Sequence, residues 1–210
     1  MTDQLGTPKH SLYIGHADAV AIGDSAKAET DASPPSLPPY EELLTLMHEA
    51  SSELRTYPGC IAGIHIDRPE VDEIVQWAQK SESDKRLGML QDLPGGGKTV
   101  VMRDVLISLE ENGYPVLAIK ADWLSGIQTR SDLADRLGLP APVEECARIM
   151  ATEGPFVVLF DQLDALSLAL SRDQATLDVM LSTMARLRSV ENVKIIASCR
   201  IFELRNDPRL

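Results

Sequence analysis

Residues 87–101, Leu-Gly-Met-Leu-Gln-Asp-Leu-Pro-Gly-Gly-Gly-Lys-Thr-Val-Val, constrain this chain more than any other stretch. Leu87, Gly88, Met89 and Leu90 are apolar or small and read as a buried strand. Gly95, Gly96 and Gly97 permit a turn, and beyond it Val101, Met102, Val105, Leu106 and Leu109 fall on one helical face. A strand, a glycine turn and a helix in this order make a cradle for phosphate. Glycines let amide N–H groups curl around an oxyanion with no Cβ in the way, and the new helix adds unpaired donors and its positive dipole end. Lys98 then supplies a cation for the β/γ-phosphates, and the Thr99 hydroxyl a ligand for Mg²⁺. The pattern G-x-x-x-x-G-K-[ST] asks for glycine where this chain has Asp92, which tolerates unusual backbone angles but brings a negative charge. The strand before the turn and the helix after it weigh against a glycine turn that merely precedes Lys-Thr.

The 210 residues, 44% of them apolar, hold one α/β domain and an extension. A net charge of −12 opposes a general nucleic-acid binder, so nucleic acid is not indicated as a partner. Nine acidic and three basic residues precede Tyr57, so half of that excess lies in the first quarter and the rest in the core. Cys60, Cys146 and Cys199 are widely spaced without a Cys-x-x-Cys pair, which suggests neither a disulfide framework nor a zinc site and fits a reducing compartment. His10, His16, His48 and His65 share no ligand spacing. No apolar run reaches membrane-spanning length and no signal pattern opens the chain, so no membrane association and a cytoplasmic location are expected.

Residues 1–39 are expected to be a disordered tail closing on Ser33-Pro-Pro-Ser-Leu-Pro-Pro39, which can continue neither helix nor sheet. Residues 40–58 follow as an N-terminal helix, with Tyr40, Leu43, Leu44, Met47, Ala50 and Leu54 at helical spacing up to about Thr56 and Pro58-Gly59 ending it. Its apolar face docks on the core or on a partner. From residue 61 to 210 the chain reads as the core: a short extended entry at Ile61–Ile66, then a helix to about Lys80 with Asp67 as N-cap and Pro69 in its first turn. After the glycine loop and its helix, stopped by Asn112-Gly113, come a strand at Pro115–Ile119, helices at about 131–137 and 143–150, and the strand Phe156–Phe160. A helix around Leu177–Leu187 and a strand at Val193–Ala197 complete the pattern. Strands alternating with helices, and an apolar run without alternation at 156–160, predict a mostly parallel three-layer α/β sheet with helices on both faces.

Ligands of open α/β sheets collect at the carboxyl ends of strands. Asp161, directly after Phe160, is therefore positioned for Mg²⁺ opposite Thr99. A Ras-type Asp-x-x-Gly and a guanine-reading Asn-Lys-x-Asp are both missing, which favours ATP over GTP. Gln162 stands where many ATPases carry a glutamate, which leaves Asp164 as the candidate base or water positioner; a helix N-cap is the competing role. Ser198 and Arg200 end a strand that neighbours both others and could contact the γ-phosphate; Arg200 could equally cap the strand or pair with an aspartate. Cys199 lacks a histidine nearby and reads as a small core residue.

Leu93-Pro-Gly-Gly-Gly-Lys-Thr99, Val157-Val-Leu-Phe-Asp-Gln-Leu-Asp-Ala-Leu166 and Ile195-Ile-Ala-Ser-Cys-Arg200 resemble the Walker A, Walker B and sensor 1 segments of the AAA+/STAND P-loop ATPases, NACHT-like proteins included. The resemblance covers residues 64–210. It implies a loop from Pro94 through Gly95, Gly96, Gly97, Lys98 and Thr99 to Val100 that holds ATP or ADP, with Arg68 of Asp67-Arg-Pro-Glu70 near the adenine. It also implies Mg²⁺ on Thr99 and Asp161, and Lys98, Asp164 and Arg200 acting in a slow hydrolysis of ATP to ADP and phosphate. The expected role is a signalling switch that forms homo-oligomers or contacts partner protein domains. The alternatives are a degenerate nucleotide-binding scaffold without turnover and an AAA+ motor or loader on nucleic acid. Family members continue into a fifth strand and a C-terminal lid, so the core is expected to be incomplete at Leu210 and the chain to be part of a larger protein.

Overall fold

The computed structural model describes residues 11–12, 21–22, 37–61, 63–80, 86–92, 95–166 and 174–200. They fall in two units, Met1–Leu37 and Pro38–Leu210. In the first, β1 (Ser11–Leu12) pairs antiparallel with β2 (Ala21–Ile22). The rest of the expected disordered tail, up to residue 36, lies outside the described residues.

The second unit begins with α1 (Tyr40–Ala50) and α2 (Ser52–Arg55). One helix was expected here, and Ser51 divides it. The Ser51 hydroxyl donates to the Met47 carbonyl at 2.7 Å and accepts the Ala118 N–H at 2.9 Å, so it serves the sheet as well as its own helix. The apolar face of α1 docks on the core, with Leu43 and Met47 fully buried. A hairpin, β3 (Cys60–Ile61) and β4 (Ile64–His65), turns at Gly63 with φ +78° and leads into α3 (Pro69–Gln79). The N-cap of α3 is Arg68 and not Asp67, whose carboxylate faces the His65 ring at 3.2 Å.

Next come β5 (Leu87–Asp92), α4 (Lys98–Glu111) and β6 (Val116–Lys120). The helix α5 (Arg130–Leu137) opens on a capping box, Thr129 bonding Asp132 N–H while the Asp132 carboxylate accepts the Thr129 N–H, and closes on left-handed Gly138. The chain continues through α6 (Val143–Met150), β7 (Phe156–Asp161), α7 (Gln174–Leu187) and β8 (Val193–Arg200). Both final strands run to the polar residue at their tip, beyond the expected ends.

The four long strands form a parallel sheet in the order β5-β8-β7-β6. Leu54, Val75, Ala78, Val101, Met102 and Leu106 of α2, α3 and α4 close one face over Val157, Leu159 and Ile196. By strand alternation Phe156, Val158 and Phe160 face the other way, and α7 packs against β8. Strand β7 is buried along its whole length, which explains its unbroken apolar run. This is a three-layer α/β fold, and it brings the carboxyl ends of β7 and β8 to the amino end of α4. No helix among the described residues is long and apolar enough to cross a membrane.

Candidate functional site

Two glycines give the loop its shape. Gly95 and Gly97 have φ of +80° and +83°, the left-handed region that side chains resist. Gly97 is also the N-cap of α4, so Lys98, Thr99 and Val100 form its first turn, where amide donors lack helical partners. Pro94 lies outside the described residues.

Arg68 reaches this loop from the start of α3. Its guanidinium donates to the Gly96 carbonyl at 3.0 Å, and a Cβ at Gly97 would collide with it. Gly97 is thus favoured by its backbone angle, while a side chain there would also displace the end of the Arg68 guanidinium. The Arg68 Nε is buried with no hydrogen-bond partner among the described residues. The segment expected near an adenine therefore delivers its cation to the backbone of the phosphate loop.

The opposite wall is built on β7 and β8. Since β8 lies between β5 and β7, its tip adjoins both, as the sequence led us to expect. Ser198 Oγ donates to Asp161 Oδ1 at 2.6 Å and accepts the Gln162 N–H at 2.9 Å. Gln162 takes a positive φ of +59° directly after the strand, and its Nε2 donates to Thr99 Oγ1 at 3.2 Å. Gln162 thereby bonds Thr99 through its side chain and, through its backbone N–H, Ser198, which in turn holds Asp161. Asp161 is fully buried, and its Oδ2 has no partner among the described residues. Burial pushes its carboxyl above the ordinary value, against the opposing pull of the Ser198 and Thr99 hydroxyls and the Lys120 ammonium.

A hydroxyl beside a buried carboxylate oxygen that lacks a partner fits Mg²⁺, which takes one or two protein oxygens and fills its remaining positions with water and phosphate. Among the described residues no group of three His, Cys, Asp or Glu offers an all-protein cage.

Asp164 lies in a short 3-10 helix, Leu163–Leu166, and is not a helix N-cap. Its Oδ2 pairs with Arg200 Nε at 2.9 Å, while its buried Oδ1 has no partner among the described residues. Of the two roles open to Arg200, the structure contains the aspartate pairing. The Arg200 side chain is 39% exposed, whereas that of Asp164 is buried. Gln162 was overlooked in the sequence because it was weighed only as a missing glutamate. Lys120, buried at the tip of β6 beside Asp161, gave no signal, since a lysine ending an apolar strand usually marks solvent.

No family model matches the sequence, and no curated protein matches it. Solved structures do resemble it. A DNA replication initiation factor aligns at 20% identity and a TM-score of 0.41, over 70% of this chain and 41% of that one. A Walker-type ATPase of Pyrococcus abyssi gives 19% and 0.43, over 69% and 48%. AMPPCP-bound DnaA from Aquifex aeolicus gives 19% and 0.43, over 64% and 40%. The chain spans less than half the length of each of these proteins, and any function rests on its own site.

Proposed function

We propose that this chain binds Mg-ATP between the Gly95–Thr99 loop and the tips of β7 and β8, and acts as a slowly hydrolysing, nucleotide-dependent switch of the AAA+/STAND kind. The observation that carries the reading is the Thr99–Gln162–Asp161 arrangement beside a loop of left-handed glycines. In this reading the amides of the first turn of α4 and Lys98 hold the β- and γ-phosphates. Arg68 fixes the loop through the Gly96 carbonyl and would add its cation to the nucleotide site. Thr99 and Asp161 would hold Mg²⁺, which would offset charge that develops during transfer. Ser198 keeps Asp161 oriented and its Oδ2 available. Turning this site over needs an attacking water, and Asp164 is the group that would position it.

The Asp164–Arg200 pair makes that step slow. Arg200 occupies one oxygen of Asp164 and must leave it before it can reach a γ-phosphate. The pair also supports the second reading, a nucleotide-binding scaffold without turnover. Homo-oligomers or partner domains belong to the switch: an arginine supplied by a neighbour typically adds roughly 10³- to 10⁵-fold in rate, so the isolated chain should turn over slowly.

Calorimetry with Mg-ATP tests the proposal. Binding is expected in the unsubstituted chain and is lost in Lys98→Ala; equal binding in both would remove it. Asp164→Asn should bind ATP and stop hydrolysing it, whereas unchanged turnover would take Asp164 out of the mechanism. Turnover that climbs with protein concentration favours the switch, and tight binding with none favours the scaffold.

A further inference from the structure

Strand β6 runs into a short 3-10 turn, Ala121–Trp123, which leaves the Trp123 side chain 57% exposed. Tryptophan is highly buried on average, so one left open on a surface calls for a physical reason. The indole is nonetheless held in place. The Lys120 ammonium lies 5.8 Å from its ring and 5.7 Å from that of Tyr57, within cation–π range. Asp122 takes the same ammonium on both oxygens, at 2.6 and 2.5 Å. Lys120 is buried, so this cluster presents Trp123 from a fixed base.

Trp123 lines a cavity of about 550 Å³ between the α1–α2 pair and the end of α5, to which Leu46, Ala50 and Leu124 add apolar surface. Three carboxylates complete it, Glu49 and Glu53 from the helix pair and Asp135 from α5. Each is exposed, and none has an ion pair or a side-chain hydrogen bond among the described residues. The last turn of α5 lines the same cavity and adds the negative end of its helix dipole. Of the two cations in the lining, Lys120 is already paired with Asp122, which leaves Arg136 against three carboxylates.

We propose that this groove docks a basic segment of a partner protein: an arginine stacks its guanidinium on Trp123 between Glu49, Glu53 and Asp135, and a neighbouring aliphatic side chain rests on Leu46 and Leu124. The inference does not depend on the nucleotide reading. Arginine suits the groove because its guanidinium stacks on aromatic rings and is more weakly hydrated than an ammonium, while exposed carboxylates meet it at little desolvation cost. Tryptophan and arginine are also the side chains that most often anchor protein interfaces. A second copy of this chain, with a net charge of −12, or a nucleic acid would bring to the groove the charge it already has.

Calorimetry on the full chain, without nucleotide, tests the proposal with a capped peptide, Ala-Leu-Arg-Leu-Arg-Ala, and its twin bearing uncharged citrulline for arginine. The arginine peptide should bind and the citrulline peptide should not. Trp123→Ala should weaken binding on the order of tenfold, the usual scale for an interface anchor. Should that variant lose its cooperative melt, Trp123→Leu replaces it and should lose as much, because it keeps apolar surface without the ring. A triple variant, Glu49→Gln with Glu53→Gln and Asp135→Asn, should also weaken binding roughly tenfold. Its control removes the same charge from exposed carboxylates outside the cavity, Glu41→Gln with Glu42→Gln and Glu111→Gln, and should lose less than about threefold. Equal losses in the two triple variants would reduce the effect to general attraction by an acidic protein and overturn the proposal. So would arginine peptide that gives no binding, citrulline peptide that binds as well, or arginine amide alone that saturates the chain as tightly as the peptide.

Discussion

Strand β7 contains two regions that obey opposite rules. From Phe156 to Phe160 five apolar side chains have no exposed surface, packed between helices on both sides. One residue further, Asp161 is equally buried but is a carboxylate with one oxygen lacking a partner among the described residues. The first region stabilises the fold through apolar burial; the second costs stability, because a carboxylate taken out of water and only half satisfied is disfavoured. The same strand thus supplies a rigid platform and, at its tip, a carboxylate whose burial is relieved by a proton or by a cation.

Substitutions that separate the two regions sharpen this contrast. The largest effect belongs to the platform: Phe160→Ala should cost about 3–5 kcal/mol in thermal or urea unfolding, the usual penalty for removing a buried ring. A loss under 1 kcal/mol would mean that β7 is no platform. Ser198→Ala comes next, since it removes the hydroxyl that orients Asp161. Mg²⁺ affinity should fall roughly 10- to 100-fold, as is common when the partner of a metal ligand is removed. An unchanged affinity would detach Ser198 from the metal site.

Asp161→Asn should divide the two properties, abolishing Mg²⁺-dependent binding while the melting temperature near neutral pH holds or rises. A lower melting temperature would place Asp161 with the stabilising body of the strand. The pH dependence follows from the same burial. Because the folded carboxyl binds its proton more readily than the ordinary value of 3.8 allows, its contribution to stability is least favourable above the folded pKa and improves as pH falls toward 3.8. Mg²⁺ requires the carboxylate, so metal affinity should weaken over that same window, starting at a higher pH than an exposed aspartate would give. The smallest effect concerns thiols. Burial pushes Cys146 up to about 11 and Cys60 is exposed, so iodoacetamide at pH 8 should label Cys60 and spare Cys146 in the folded chain. Rapid labelling of Cys146 would show an open core.

Much of this was legible in the residues because periodicity and local chemistry agreed. The unbroken run 156–160 announced a strand covered on both faces, and Gly95–Thr99 announced the strand-to-helix turn. The four core strands and the helices α3 to α7 follow from apolar spacing. What stayed hidden depends on contacts between distant residues. Ser51 divides a helix that its own neighbours would continue, because Ala118, 67 positions away, requires its hydroxyl. Arg68 replaces Asp67 as N-cap while its side chain lies on the glycine loop. Gln162 bonds Thr99 across 63 residues, Ser198 holds Asp161, and Arg200 takes Asp164. Single-residue patterns mark which groups can act at a site, whereas their pairing is set by the sheet order that brings strand tips together.

The central claim is that Thr99 and Asp161 share one nucleotide-bound divalent cation. Electron paramagnetic resonance of Mn²⁺ tests it most directly, with Mn²⁺ and a non-hydrolysable ATP analogue added to the full chain. The account predicts a tightly bound Mn²⁺ signal beyond that of Mn²⁺ and analogue alone, lost in both Thr99→Val and Asp161→Asn. The same bound signal in all three chains would contradict it.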